Sequence, residues 1–421
     1  MAGPATYFNP ERADELDPAT RDLVARRERA LGSAYRLFYD EPLQLVRGLG
    51  TKVWDANGTE YLDAYNNVPS VGHAHPRVVA AIAEQAATLN THTRYLQEGI
   101  LDYAEQVLET LPAHIETMMF ACTGSEANDL ALRIAKHATG GTGVVVTSNA
   151  YHGVTTEIAA ISPSLGGLES LAPWVRVVEP GDLASVGRAF DELQAAGVKP
   201  AAFIVDTILA SDGVIPSPVG LADAVAATRE RGALFIADEV QPGFGRLGHG
   251  YWGFDRHGLS PDLVTVAKPM ANGHPVAAVM ARRDLTEAFG RQVRYFNTFG
   301  GNTVSIAAAQ ATLDVLRDEG LIENSRVVGE RLLRDLRSID SPLVAEVRGA
   351  GLFMGFELRR DGAPATAETL AIVNEMRRRG VLLAASGVDN NILKIRPPLP
   401  FSAADSERLV TELAAAVALQ H

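Results

Sequence analysis

From about residue 116 onward the chain alternates short apolar runs with longer amphipathic stretches. Seven runs read as strands: ETMMFA (116–121), GVVVTS (143–148), VRVVEP (175–180), AAFIVD (201–206), ALFIAD (233–238), LVTVAK (263–268) and VAAVMA (276–281). Helical patterns separate most of them, SEANDLALRIAKHA and GLADAVAATRERG being the clearest, and this alternation implies an α/β domain with a mostly parallel sheet covered by helices. Beyond residue 303 the texture changes to two long helices, a glycine-broken extended pair in LVAEVRGAGLFMGFEL, a helix at about 367–379 and an amphipathic helix after Ser402. That end reads as a smaller α+β domain. Upstream, RDLVARRERALG and LQLVRG suit an arm, TKVWDANGTEYLDAY a hairpin around Asn57-Gly58, and the stretch from Pro76 a helix with Val78, Val79, Ile82 and Ala86 at helical spacing. The expected division is an arm with part of the small domain over 1–75, a large domain over 76–315 and the rest of the small domain over 316–421.

Composition narrows the class. With 421 residues, 47% hydrophobic and 21% charged, the chain can bury a large core, and no apolar run approaches the ~18 residues of a membrane span. The first residues, MAGPATYFNPERADELDP, lack a basic region followed by an apolar one, so no secretory leader is expected. Cys122 is the only cysteine, which excludes an intrachain disulfide and any multi-cysteine metal site and favours a cytoplasmic protein. The net charge of -13 argues against nucleic acid or anionic membrane as a partner, while leaving room for a local basic pocket.

Several strand ends carry chemistry. Lys268 closes an apolar run just before Pro269, Gly273 and Pro275 force a turn, and such a lysine is either a solvated surface charge or an amine nucleophile. Asp238 ends another run, where a buried carboxylate needs a partner such as a protonated ring nitrogen. Thr123, Gly124 and Ser125 lie between a strand and a helix, as a phosphate cradle or an ordinary cap. Tyr151 can stack on a flat cofactor or fill the core, and Thr298 ahead of Gly300-Gly301 is a second phosphate candidate. Lys394 and Arg396 project from one face of a short strand, where Arg396 can clamp a carboxylate or phosphate. His73 and His75 lack a third ligand, so no metal site is expected. A formal G-x-G-x-x-G at 243–248 stands too far from its strand, with no apolar helix after it, to bind a dinucleotide.

Lysine, aspartate, stacking tyrosine and two hydroxyl-rich cradles together suit one cofactor, pyridoxal 5'-phosphate. In these motifs and their order the chain resembles the class III aminotransferases of pyridoxal-phosphate fold type I, from about residue 20 to the end. The resemblance implies that Lys268 joins the cofactor aldehyde and later moves the proton, and that Asp238 holds the ring nitrogen. It further implies Gly124 and Ser125 at the phosphate, Tyr151 on the ring, Val240 on its opposite face and Gln241 near its phenolic oxygen. Thr298 would reach the phosphate of a neighbouring subunit, which implies a homodimer with shared active sites, its pairing into tetramers left open.

NNVPSVGHAHPRVV, AKPMANGHPVAAV, YFNTFGGNTVS and NILKIRPP look closest to the branch of ethanolamine-phosphate phospho-lyases and alanine–glyoxylate aminotransferase 2-like proteins. Where many relatives read EPIQGEGG this chain reads DTILASDG, with Asp206 and Ser211 at the two acidic positions, so Arg396 stays available to an anion. The expected function is action on a small primary amine, with loss of phosphate from ethanolamine phosphate ahead of amino transfer to a 2-oxo acid. Arg396, Arg94 and His73 are the candidates for the substrate's anionic group.

Overall fold

The computed structural model describes residues 7–420; residues 1–6 and residue 421, and with them the start of the stretch read for a leader, lie outside the described residues. The charged stretch before residue 32 is a helix, Pro18–Leu31, capped by Asp17 and burying none of its side chains. It is followed by β1 (Leu45–Leu49), β2 (Lys52–Asp55) and β3 (Glu60–Asp63), an antiparallel meander. The β2–β3 turn forms because Asp55 Oδ1 accepts the N–H groups of Asn57 and Thr59 while Gly58 takes φ +84°.

All seven apolar runs enter one sheet. They form β4 (Thr117–Ala121), β5 (Gly143–Thr147), β6 (Val175–Val178), β7 (Pro200–Asp206), β8 (Leu234–Asp238), β9 (Leu263–Val266) and β10 (Ala277–Ala281), in the order β4-β10-β9-β8-β7-β5-β6. Strands β6, β5, β7, β8 and β9 pair in parallel, and β10 alone runs against both its neighbours. Continuous apolar runs are what a sheet covered on both faces requires, and every residue of β5, β9 and β10 is buried. The helix Gly124–Thr139 lies across β7, β9 and β10 and buries Leu130 and Ile134, each contributing about 1.5–3 kcal/mol by burial.

The run LVTVAK leaves the sheet before its lysine. β9 stops at Val266, Pro269 has no N–H to continue a ladder, and Met270 N–H turns back to the Ala267 carbonyl. Lys268 therefore stands in the turn beyond the strand.

The C-terminal part forms a third, antiparallel sheet from β11 (Val344–Ala350), β12 (Phe353–Arg360), β13 (Ala363–Pro364), β15 (Ala384–Ser386) and β16 (Ile392–Ile395), while β14 (Val381–Leu382) joins the sheet of the N-terminal meander by pairing in parallel with β3. Among the described residues no helix is long and apolar enough to cross a membrane.

The helix Leu321–Arg337 touches the β11–β12 turn backbone to backbone: a Cβ on Gly329 would lie 2.1 Å from the Gly351 carbonyl oxygen. Gly329→Ala should therefore destabilise the fold by about 1–3 kcal/mol, seen as a lower thermal midpoint, whereas Gly362→Ala, with nothing within 4 Å of the added methyl, tests only the cost of its φ of +81°.

Candidate active site

The parallel strands end at one edge, where a doubly covered sheet leaves a crevice for a ligand. Asp238 and Asp206 end β8 and β7 side by side in register, Lys268 follows β9, and Cys122 and Thr123 lead from β4 into the helix Gly124–Thr139. These ends enclose a cavity of about 310 Å³ lined also by Gly124, Ser125, Tyr151, Val240 and Gln241.

At its mouth the helix is capped so as to leave donors free. Thr123 Oγ1 accepts the Glu126 N–H, and Glu126 Oε2 accepts the N–H groups of Cys122 and Thr123. The Gly124 and Ser125 N–H groups, in the first helical turn, have no intrahelical acceptor, and both residues line the cavity. Gly153 must be glycine here, because at φ +134° its Cβ would fall 2.4 Å from Ser125 Oγ. A helix start with unspent N–H groups is suited to an anion.

Deeper in, Asp238 is buried. Its Oδ2 accepts from His152 Nδ1 at 2.7 Å and Asn128 Nδ2 at 2.9 Å, and its Oδ1 from the Val240 N–H at 3.1 Å. Lys268 makes no hydrogen bond or ion pair among the described residues; burial first, then the Arg396 charge, bring its amine down to about 8, against the pull of Asp238 and Asp206. Asp206 is raised to about 6 by burial and by Asp238, although the N–H groups of Ile208 and Ala210 bind its carboxylate.

Behind Gln241 stands a cationic wall whose members, Arg396 and Lys394, lie outside the cavity lining itself. Arg396 Nη1 donates to Gln241 Oε1 at 2.6 Å, its guanidinium lies 4.5 Å from the Tyr65 ring centroid, and its Nε has no partner. Asn67 Nδ2 donates to the same Gln241 oxygen at 2.8 Å, fixing the amide. Lys394, two residues before Arg396, is buried and likewise without hydrogen bond or ion pair among the described residues; burial and Arg396 lower its amine to about 7. Arg246, fully buried, donates to the carbonyls of Leu352 and Pro397 and so holds the chain just past Arg396. In the DTILASDG loop, Ser211 carries no acid, and neighbouring Asp212 accepts from Thr147 Oγ1 and the Asn149 N–H, each at 2.8 Å.

The sequence model of the family described as Aminotransferase class-III matches residues 38–417, nearly the whole chain. The chain belongs to the class-III aminotransferases. Similar relatives include an alanine–glyoxylate aminotransferase 2-like protein of Drosophila melanogaster, 37% identical over 92% of this chain and 85% of the relative. An ethanolamine-phosphate phospho-lyase homolog 1 of Caenorhabditis elegans is also 37% identical, over 97% of this chain and 96% of the relative. Among solved structures, a phospholyase from Arthrobacter in complex with phosphoethanolamine matches with a TM-score of 0.92 and 41% identity, over 94% of this chain and 99% of that one.

As a class-III aminotransferase the protein is a pyridoxal-phosphate enzyme of fold type I. The donor set fits that cofactor: unspent N–H groups for a phosphate, an acceptor position left on Asp238 Oδ1 for a protonated ring nitrogen, and an unpaired amine between them.

Not every sequence candidate meets in this cavity. Thr298 is exposed on the 293–302 loop, and Arg94 is exposed with its guanidinium 3.8 Å from the Phe296 ring centroid. His73 Nε2 pairs with Asp63 Oδ2 at 2.7 Å, and His75 Nε2 with Glu319 Oε1 at 3.0 Å, both apart from the cavity lining. Among the described residues no cluster of three His, Cys, Asp or Glu side chains is placed to hold a metal. Asn128, His152, Asn67 and Arg246 were not among the sequence candidates; only Asn128, a polar residue on the buried face of an amphipathic helix, carries a readable signal.

With the Lys268 amine at about 8, its unprotonated fraction grows as pH rises through 8 and levels off above. The rate at which cofactor-free protein captures pyridoxal phosphate, followed by absorbance, should rise and flatten accordingly. Arg396→Met removes a cation that disfavours the ammonium, so the same curve should move to higher pH; a shift to lower pH would contradict the assigned cause.

Proposed function

We propose that the protein is a phospho-lyase that eliminates phosphate from a small phosphorylated primary amine, ethanolamine phosphate being the first candidate. The observation that carries this is the cationic wall. Arg396 and Lys394 share one strand end, neither meets a carboxylate, and the nearest acids are already engaged by backbone N–H groups. A guanidinium with no carboxylate partner beside the cavity, and behind it an amine that a dianion would hold protonated, favour a substrate bearing a phosphate over one bearing a single carboxylate. The names of the worm relative, an ethanolamine-phosphate phospho-lyase homolog, and of the Arthrobacter phospholyase point the same way.

Bound pyridoxal phosphate supplies an electron sink. In our reading the Gly124 and Ser125 N–H groups hold its phosphate, Tyr151 and Val240 pack on the two faces of its ring, Gln241 lies near its phenolic oxygen, and Asp238 accepts the ring N–H. Lys268, with its amine near neutrality, takes the proton from the carbon bearing the substrate nitrogen. The bond from the next carbon to the phosphate oxygen then breaks, and phosphate leaves with the electron pair toward Arg396 and Lys394. Water completes the sum to acetaldehyde, ammonia and inorganic phosphate. A second reading, amino transfer to a 2-oxo acid, is favoured by the fly relative at equal identity and by the fitness of Arg396 for a carboxylate.

Homodimerisation is part of this proposal. Tyr95, Leu96, Leu101 and Phe299 are exposed on the face that carries Thr298 and Arg94, and Leu96 is 97% exposed, a patch expected to be covered. In a dimer that face would offer Thr298, and Arg94 with it, to a neighbouring site.

Incubation with ethanolamine phosphate should release phosphate and acetaldehyde in equal amounts without a 2-oxo acid. Lys268→Ala should lower the rate by about 10²- to 10⁴-fold, and Arg396→Ala should chiefly raise KM. Amine transfer dependent on a 2-oxo acid, without phosphate release, would replace the lyase reading with the second. In sedimentation the wild type should run as a dimer and Leu96→Asp with Phe299→Asp as a monomer; an unchanged profile would refute this interface.

A further inference from the structure

The acceptor sites around Asp238 can be counted. An ionised carboxylate has two lone pairs on each oxygen and donates nothing. Oδ2 is fully used, by Asn128 Nδ2 and His152 Nδ1, while Oδ1 takes only the Val240 N–H. One acceptor position is left, on Oδ1. Which position is left depends on what saturates Oδ2.

Asn128 stands out in that role because every one of its bonds has a fixed sense. Its Nδ2 donates to the His152 carbonyl at 2.8 Å as well as to Asp238, and its Oδ1 accepts from Thr265 Oγ1 at 2.6 Å. Flipping the amide would set its oxygen against a carbonyl and a carboxylate, so only one orientation is allowed. Thr265 lies on β9 directly beside Asp238 in register, and Asn128 sits one turn inside the helix that starts at Gly124. The amide thus joins that helix, β8, β9 and the loop after β5 at one buried point. His152 contributes a single bond and leaves its Nε2 buried without a partner, so it is the weaker constraint. An amide also carries no titratable proton, so its hold on Asp238 does not vary with pH.

We propose that Asn128, itself locked by Thr265, is a positioning residue that saturates Asp238 Oδ2 and thereby reserves the free position on Oδ1 for the ring N–H of bound pyridoxal phosphate. The proposal rests on the reading that Asp238 meets the ring nitrogen.

The test compares cofactor-free wild type, Asn128→Ala and Thr265→Val in titrations with pyridoxal phosphate and with its carbon analogue, in which C–H replaces the ring nitrogen. Asn128→Ala should bind pyridoxal phosphate about 10- to 100-fold more weakly, the range for one hydrogen bond to a charged group, and Thr265→Val about 3- to 10-fold more weakly. Both variants should bind the carbon analogue as the wild type does, to within about twofold. The pH at which the bound cofactor's absorbance changes should also move in both variants. Unchanged affinity for pyridoxal phosphate, or an equal loss for both ligands, would overturn the proposal by reducing Asn128 to a core residue. If Asn128→Ala does not fold, Thr265→Val, which keeps the shape of the side chain, decides by the same criteria. Wild type that binds both ligands equally well would instead remove the underlying Asp238 reading, an outcome visible before any variant is made.

Discussion

Everything at the edge of the large sheet depends on keeping several charges apart from water without letting them cancel. Asp206, Lys268 and Lys394 titrate under one another's influence and under the charges of Asp238 and Arg396, yet among the described residues no lysine or arginine pairs with either aspartate, and Asp238 meets the His152 ring instead. In a low-dielectric site direct Lys–Asp contacts would lock the amine as an ammonium and withdraw the cations from a ligand. Backbone N–H groups and amides satisfy the acids instead, which leaves the amines and the guanidinium to answer to what enters.

That solution shapes the backbone around it. The loop after β7 folds tightly enough for its own N–H groups to reach Asp206, and it does so with Leu209 at φ +47° and Val214 at φ +61°. A β-branched residue in the left-handed region costs on the order of 1–3 kcal/mol and persists only where its surroundings fix it. Here Arg348 does so, donating to the carbonyls of Gly213 and Val214 while paired with Glu357. The same loop keeps Asp212 turned toward β5, so the cationic wall owes its freedom to a strained turn as much as to the lack of an acid at position 211.

The sequence was most legible where hydrophobic patterning dominates. Strands buried on both faces have no polar register to disguise them, so all seven runs and the covering helix could be read directly, and Lys268 and Asp238 stood out as charges at the ends of apolar runs. What could not be read was set by side-chain direction and distance along the chain. Nothing local in GHAHP shows that His73 turns to Asp63 and His75 to Glu319. Asn128 carried a signal, a polar residue on the apolar face of an amphipathic helix, but its partners His152, Asp238 and Thr265 lie too far along the chain to be read. Arg246, in the glycine-rich stretch weighed as a nucleotide motif, proves to be a buried cation bonded to the carbonyls of Leu352 and Pro397, a contact between distant parts of the chain that no spacing rule anticipates.

The parallel pairing of β3 with β14, Leu62 beside Val381 and Asp63 beside Leu382, bears on how the molecule is made. A ladder between such distant partners carries a high entropic cost of loop closure and cannot nucleate early. During synthesis the N-terminal meander must wait, one edge unpaired, until the segment around residue 381 has been made, and Lys394 on β16 with Arg396 just past its end follows only a few residues later. The large sheet, whose strands all precede residue 282, can assemble first. The helix start at Gly124 and the lysine therefore take shape before Lys394 and Arg396 arrive beside them, and the unpaired edge of β3 is the place where a stalled or crowded chain is most exposed to association with another.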